Sequence, residues 1–205
     1  MHPNPIYRRE DTARSLAFAA GRGFGTLAAN GDPVPLTAHV PFALTPDTGT
    51  ATLHLMRSNP LARARGAPLP ARLTVMGPDS YVSPDWYEME HQVPTWNYIA
   101  VQLDGTLEPL PDADLRAVLD ELSALFEGRL LPKTPWKADK MPPETLDRLM
   151  RMIRPFRFSV TGVDSTWKLS QNKPPEARRA AAQEMDAHGI GQEVAALAAL
   201  MRGAE

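Results

Sequence analysis

The chain has 205 residues, of which 43% are hydrophobic and 22% are charged, a balance that excludes a disordered or fibrous protein. It contains 0 cysteines, which excludes disulfides, thiolate zinc sites and a cysteine nucleophile. The net charge of -2 provides no overall field to attract nucleic acid or an anionic membrane. The start of the sequence is polar and broken by prolines, and no long apolar run follows, so we expect a cytoplasmic protein.

The first half of the chain predicts one short helix followed by a series of strands. The helix spans residues 11–20, with Asp11 as its N-cap and Gly21 as its stop. A turn at 30–32 joins the first two strands into a hairpin. The predicted strands are 24–29, 34–44, 50–56, 72–76 continued by 81–83 after a bend at Gly77 and Pro78, and 98–107.

The second half predicts helices with one further strand between them. Apolar residues at a spacing of 3.6 predict a helix over 112–126 that Gly128 ends. A second helix begins at Pro143, and its apolar stripe continues to Ile153. Alternation predicts a strand over 156–160, and residues 177–202 are helical by composition, with interruptions at Gly189 and Gly191.

Strands joined by hairpins, without helices crossing between them, argue against a doubly wound parallel sheet. We therefore predict an α+β fold that is mainly β, built on a six-stranded antiparallel barrel with peripheral helices. We expect one domain over 1–173, with a helical insertion at about 112–154, and a helical C-terminal extension over 174–205.

The common catalytic and nucleotide-binding motifs are missing from the sequence. Three glycines at 21, 23 and 25 follow a helix and open a strand, the reverse of the order in a dinucleotide-binding loop. Motifs of P-loop ATPases, zinc proteases and serine hydrolases do not occur. The five histidines have no paired spacing typical of metal ligands, so we expect no metal site.

Two polar residues on the same face mark the second predicted strand. Thr37 and His39 share the strand face that also carries Pro35 and Pro41. A neutral imidazole at position 39 suits a hydrogen bond to a ligand, and it suits a contact between subunits equally well.

The densest cluster of aromatic residues lies over 81–98. Its tyrosines and tryptophans include Tyr81 and Trp96, and prolines break the regular structure around them. An irregular aromatic loop of this kind can form the wall of a planar ligand site, or it can be a dimer interface.

Two segments have the chemistry of anion binding. Arg57, Ser58 and Asn59 end the third strand with a cation, a hydroxyl and an amide, all of which suit a phosphate. Lys168 stands beside the amides of Gln171 and Asn172 just after the last strand.

Together these segments resemble the PaiB family of FMN-binding split barrels, relatives of the flavoproteins similar to pyridoxamine-phosphate oxidase. The run VPTWNY at 93–98 and the run KLSQN at 168–172 are the specific matches, with further matches at 24–26, 37–41, 55–60 and 81–87. The resemblance implies a six-stranded split barrel that forms a homodimer, with FMN in two grooves built from both subunits. The implied cofactor-binding residues are Thr37, His39, Arg57, Ser58, Asn59, Tyr81, Ser83, Thr95, Trp96, Asn97, Lys168, Gln171 and Asn172.

The resemblance leaves the role of the flavin open between regulation and flavin-dependent redox chemistry, and no catalytic residue can be named. The rival hypotheses are a repressor that binds DNA directly and a barrel that binds haem or another planar ligand, with His39 as the axial ligand. The helix over 112–126 is acidic, and the arginines at 148, 151 and 154 form the one basic segment suited to a duplex. We therefore expect no specific binding of DNA by the isolated protein.

Overall fold

The computed structural model describes residues 2–64 and 68–204 and contains helices and one antiparallel sheet, the α+β class predicted. It divides into two compact units. We call Leu16–Val75 with Gln102–Val163 the ring unit, and Met1–Ser15, Met76–Val101 and Asp164–Glu205 the terminal unit. Within the described ranges, no helix is long and apolar enough to cross a bilayer.

The sheet has seven strands in the order β1-β2-β3-β6-β5-β4-β7, and β1 also pairs with β4. That extra pairing joins Thr26–Ala29 to Ala71–Thr74 in the ring unit, so the order β1-β2-β3-β6-β5-β4 returns to its start. The strands are β1 Phe24–Ala29, β2 Leu36–Thr45, β3 Thr50–Met56, β4 Leu69–Val82, β5 Thr95–Pro109, β6 Ile153–Lys168 and β7 Gly191–Gln192.

The prediction of six strands is therefore wrong by one. The additional strand, β7, has two residues, and it pairs with Asp79 and Ser80 of β4. A strand this short carries no alternation of apolar residues, and the glycines at 189 and 191 indicated only a break in a helix. A Cβ on Gly191 would lie 2.1 Å from the carbonyl oxygen of Asp79, so the close pairing requires glycine there.

Two other boundaries differ from the sequence prediction. The prolines and glycines near position 77 suggested a bend, yet β4 continues through Gly77 and Pro78, both of which are buried. The first helix, α1, spans Thr12–Arg22 and does not stop at Gly21. Gly23 takes the left-handed conformation after it, with φ of 62°, which is the usual conformation after the last residue of a helix.

Alternation along the strands builds the core of the ring unit. Ala51 and Leu53 of β3 are buried between half-buried neighbours, as the period of two predicts. Helix α3, Leu115–Gly128, packs Val118 and Leu122 against Ala43 of β2. The ring unit also contains the single turn α2, Pro60–Arg63, and the helix α4, Pro143–Met150.

The basic segment suggested by the sequence is not one helical stripe. Helix α4 ends at Met150, so Arg151 follows the helix and Arg154 lies in β6. The side-chain Nε of Arg154 is buried, whereas Arg148 and Arg151 are exposed.

In the terminal unit, α5, Pro175–His188, packs against α6, Val194–Gly203. The buried residues of these helices include small residues and methionines, among them Ala181, Met185, Ala198 and Met201, each 0% exposed. Arg178 is only 5% exposed, and its guanidinium donates to the carbonyl oxygens of Met201 and Ala204. A charged side chain therefore anchors the end of α6 to α5.

Candidate functional site

A polar cavity of about 220 Å³ lies in the terminal unit where β5 begins and β6 ends. Four of the residues predicted from the sequence line it: Thr95, Asn97, Lys168 and Asn172. The sequence prediction did not include the other lining residues, which are His2, Asn4, Tyr7, Tyr87, Gln92, Val93, Ser170 and Lys173.

Strand geometry explains why the predicted residues of β5 point to two different faces. Successive side chains of a strand point to opposite faces, so Thr95 and Asn97 face the cavity and Trp96 does not. Trp96 instead packs edge-on against Tyr81, with ring centroids 6.4 Å apart, and 47% of its surface is exposed. The VPTWNY run thus contributes to two different surfaces.

A buried hydrogen-bond network forms one wall of the cavity. Asn97 is fully buried and donates from Nδ2 to Ser170 Oγ at 2.8 Å and to Met201 Sδ at 3.3 Å. Ser170 Oγ also lies 2.6 Å from the hydroxyl of Tyr87. The Oδ1 atom of Asn97 is buried and has no hydrogen-bond partner among the described residues. A buried acceptor without a donor is unfavourable by about 1–3 kcal/mol, so this atom suits a donor from a ligand.

Two lysines supply the charge of the cavity. Lys168 contacts Thr95 Oγ1 through Nζ, and Lys173 contacts Gln92 Oε1. Each ammonium also faces an aromatic ring, with Lys173 Nζ 5.4 Å from the ring centroid of Tyr87. The lining residues include no Asp or Glu, and neither lysine has an ion pair within the described part of the chain.

Burial shifts the titration of the groups around the cavity. It lowers the pKa of Lys168, because the ammonium loses hydration without gaining a carboxylate. It also lowers the pKa of His2, to which the neighbouring Lys168 charge contributes. Burial raises the pKa of Tyr87, although the hydrogen bond with Ser170 opposes that rise. The cavity therefore contains cations and neutral donors, and no negatively charged side chain lines it among the described residues.

The donors of this cavity suit a phosphate group. Ammonium, amide and hydroxyl groups are the usual partners of phosphate oxygens in proteins. The volume of about 220 Å³ lies below the roughly 300–1,000 Å³ of a pocket that encloses a whole organic ligand. A phosphate with its nearest atoms fits inside, whereas the ring system of a mononucleotide needs space beyond this cavity.

The remaining predicted residues of the terminal unit have other contacts. Gln171 closes the turn after β6, since its Oε1 accepts from Leu169 N at 2.8 Å and its Nε2 donates to Trp167 O at 2.6 Å. Ser83 precedes a short 3-10 helix, Pro84–Tyr87, without capping it by a side-chain hydrogen bond. Neither residue lines the small cavity.

In the ring unit, Arg57 makes an ion pair and a hydrogen bond with neighbouring residues. Its Nη2 lies 2.8 Å from Asp112 Oδ2, and its Nε donates to the carbonyl oxygen of Arg151 at 3.1 Å. Asn59 caps α2, because its Oδ1 accepts from Leu61 N at 2.9 Å, while Ser58 is exposed. A ligand at this turn would have to compete with Asp112 for Arg57.

Thr37 and His39 lie on the exposed face of β2. His39 Nδ1 is hydrogen bonded to Thr26 Oγ1 of β1 at 3.0 Å, in the register where these two residues face each other. The imidazole therefore already has one partner from the sheet.

Sequence signals for the missed residues differ in strength. Tyr87, Ser170 and Lys173 lie in or beside segments whose motifs were already conspicuous. His2 and Tyr7 reach the cavity from the N-terminal segment, where His2 packs edge-on against Tyr7 at 4.7 Å. No local pattern in the sequence indicates that this segment reaches the end of β6, where His2 N donates to Thr166 Oγ1, 164 positions along the chain.

The model of the family described as "Putative FMN-binding domain" matches residues 1–162, and the chain belongs to this family. The protease synthase and sporulation protein PAI 2 of Bacillus subtilis is 30% identical over 172 residues, which cover 82% of each chain. The resemblance to the PaiB family is thus confirmed. A protein of Emericella nidulans, uncharacterized protein AN0679, is 25% identical over 176 residues, 68% of this chain and 70% of its own.

Solved structures share the fold at low sequence identity. The conserved hypothetical protein Rv2991 of Mycobacterium tuberculosis has a TM-score of 0.56 at 17% identity, over 84% of this chain and 94% of its own. The FAD and haem binding protein of Mycobacterium smegmatis has a TM-score of 0.53 at 17% identity, over 89% and 80% of the two chains. These structures are consistent with the split-barrel fold expected from the sequence.

Proposed function

We propose that the chain is an FMN-binding protein that works as a homodimer in flavin-dependent redox chemistry. The observation that carries the proposal is the cavity with two lysines and no carboxylate, in a chain whose family is described by FMN binding. Bound flavin would accept and donate electrons, while the protein positions it and tunes its surroundings.

The phosphate of FMN would lie between Lys168 and Lys173. Both ammonium groups lack a carboxylate partner in the described chain, so a phosphate dianion would offset the unfavourable burial of Lys168. The amide of Asn172 and the hydroxyl of Thr95 would add donors around it, whereas the Nδ2 group of Asn97 already donates to Ser170 and Met201. This arrangement holds the cofactor by its charged end.

The ring of FMN would need a wall outside this cavity. Trp96 exposes 47% of its surface on the opposite face of β5, where it packs against Tyr81 of β4. Large exposed aromatic residues are typical of surfaces that a ligand or a second subunit covers. We therefore infer that a second copy of the chain completes the ring site.

Regulation by direct binding of DNA has less support in this chain. The net charge is -2, and Asp114 and Asp120 are exposed on or beside α3. The arginines at 148, 151 and 154 do not share a helical face that could enter a groove. A haem role would need an axial ligand, and the hydrogen bond of His39 Nδ1 with Thr26 leaves Nε2 as the ring nitrogen for that role.

The test begins with the absorption spectrum of the purified chain and a titration with FMN. Flavin bands support the proposal, whereas a Soret band, or no uptake of FMN, overturns it. Removal of one phosphate contact should weaken binding by about 1.5–3 kcal/mol, or about 10- to 100-fold in Kd. We expect this loss for Lys168→Ala and for Lys173→Ala, with Lys140→Ala, an exposed lysine of the ring unit, as the unaffected control.

Arg57→Ala decides between the two predicted phosphate sites. Weaker FMN binding in Arg57→Ala, together with unchanged binding in both cavity variants, would move the phosphate to the turn after β3. Thermal unfolding of every variant separates a loss of binding from a loss of fold.

A further inference from the structure

A second and larger cavity, of about 760 Å³, lies in the terminal unit beside the end of β6. Its volume falls in the range of roughly 300–1,000 Å³ that is typical of small-molecule sites. Residues at and just after the end of β6 are divided between the two cavities: Trp167, Leu169 and Gln171 line the large one, whereas Lys168, Ser170 and Asn172 line the small one. Tyr7 lines both cavities, so the two sites share one wall.

The large cavity has an aromatic and aliphatic wall. Trp167 is 4% exposed, and Leu169 beside it is 5% exposed. Leu200 of α6 and Ile6 of the N-terminal segment add aliphatic surface to the lining. A wall of this kind favours a ligand with a flat apolar body.

Positive charge stands at the same cavity. The Arg14 guanidinium lies 4.7 Å from the ring centroid of Trp167, and its Nη1 is 2.7 Å from Glu10 Oε2. Glu10 therefore balances Arg14 and holds it against the ring. Arg9 lines the cavity as well and has no ion pair in the described ranges, so the lining carries one net positive charge.

We propose that this cavity binds a planar aromatic monoanion, such as an aryl carboxylate, as a second ligand beside the cofactor. The aromatic body would contact Trp167 and Leu200, and the anionic group would pair with Arg9. A guanidinium provides a fork of donors that matches a carboxylate or sulfonate. The site uses none of the lysines assigned to the phosphate, so the proposal does not rest on FMN being the cofactor.

The test uses anilinonaphthalene sulfonate, an aromatic monoanion, as the probe. Isothermal titration calorimetry measures its binding to the purified chain and to the chain saturated with FMN. We expect one saturable site per chain in both cases, and weaker binding of phenylnaphthylamine, the uncharged counterpart. Competition in which FMN displaces the probe one for one would overturn the proposal, because the large cavity would then be part of the flavin site.

A pair of neighbouring arginines provides the matched control. Arg9→Gln should weaken binding of the probe about tenfold, which is the lower end of the range expected for losing a hydrogen bond to a charged group. Arg8→Gln should leave the Kd unchanged, because Arg8 pairs with Asp164 at 3.0 Å and does not line the cavity. Equal effects of the two variants, or none, would overturn the role of Arg9.

A substitution that fills the cavity tests where the probe binds, independently of charge. Ala204 lines the cavity, so Ala204→Trp should abolish binding of the probe. Ala199→Trp places the same ring on an exposed position of α6 outside the lining and should leave binding intact. Probe binding that survives Ala204→Trp in a folded chain would place the probe elsewhere and refute the proposal.

Discussion

Lys168 shows how one buried charge connects the stability of the fold with binding. Burial lowers the pKa of its ammonium, so folding disfavours the charged form. The resulting cost to the free energy of folding is present at neutral pH. It diminishes as the pH rises through the lowered pKa towards the ordinary lysine value of 10.5. A bound phosphate would stabilise the charged form and oppose this cost.

The pH dependence of FMN binding follows from that shift. The phosphate of FMN is a dianion above about pH 7, so its own charge does not change further at alkaline pH. As the pH rises, Lys168 loses its proton earlier than an ordinary lysine, so the Kd for FMN should begin to increase below the ordinary lysine pKa of 10.5. Lys168→Arg keeps its charge at these pH values, and its Kd, measured by flavin fluorescence, should change less. Equal slopes for the two proteins would show that Lys168 does not bind the phosphate.

Asn97 and Trp96 illustrate how adjacent residues acquire unrelated environments. Asn97 is 0% exposed within a polar network, whereas Trp96 is 47% exposed. The pleat of β5 separates their side chains. A sequence motif therefore locates a segment of the site. Which of its residues face the ligand depends on what each side of the strand packs against.

The two C-terminal helices connect to the cavity through α6. Met201 of α6 accepts a hydrogen bond from Asn97, and Arg178 of α5 holds the carbonyl oxygens at the end of α6. These helices lie beyond the residues that the family model matches. They nevertheless support the wall of the candidate site.

Arg178→Ala should loosen the attachment of α6 to α5 and lower the stability of the protein. Loss of hydrogen bonds from a buried charged donor is expected to reduce the free energy of unfolding by about 1.5–3 kcal/mol. The Kd for FMN should rise with it, because Asn97 loses the support of Met201. Arg179→Ala is the control, since Arg179 is exposed on the same helix. Urea denaturation measures the difference, and equal stabilities of the two variants would contradict the anchoring role.

Assembly into a homodimer is the first property expected of the intact protein. Sedimentation equilibrium at micromolar concentration should give a mass near twice the chain mass of 22.5 kDa. Trp96→Glu should shift the mass towards the monomer and weaken FMN binding, because it places a charge on the aromatic surface. Val34→Glu changes an apolar residue of 64% exposure outside that surface and should have no effect. A monomer that retains FMN would refute a site shared between subunits.

The charge distribution of the chain predicts its behaviour towards DNA. We expect no sequence-specific binding tighter than about 1 µM at physiological salt, because the 22 basic residues are outnumbered by 24 acidic ones. Gel retardation with promoter fragments at low and physiological salt measures this. Nanomolar, salt-sensitive retardation that disappears when Arg148, Arg151 and Arg154 are replaced together by Ala would instead support a repressor.

Local patterns were sufficient for most elements of the fold. The alternation over 50–56 and the apolar stripe of α3 reflect burial on one face, which any strand or helix of this composition requires. The run KLSQN also pointed to Lys168, because a cation beside amides after a strand can be recognised in the sequence. Gly77 and Pro78 misled the prediction because neighbouring strands hold them extended.

The composition of the cavity depends on contacts that no local pattern encodes. His2, Tyr87 and Lys173 meet there because the N-terminal segment, the loop before β5 and the turn after β6 pack around the same space. The separation of Trp96 from Asn97 and the pairing of Arg57 with Asp112 likewise arise from which elements are neighbours in space. Such contacts join residues that are far apart in the sequence, so only the three-dimensional fold reveals them.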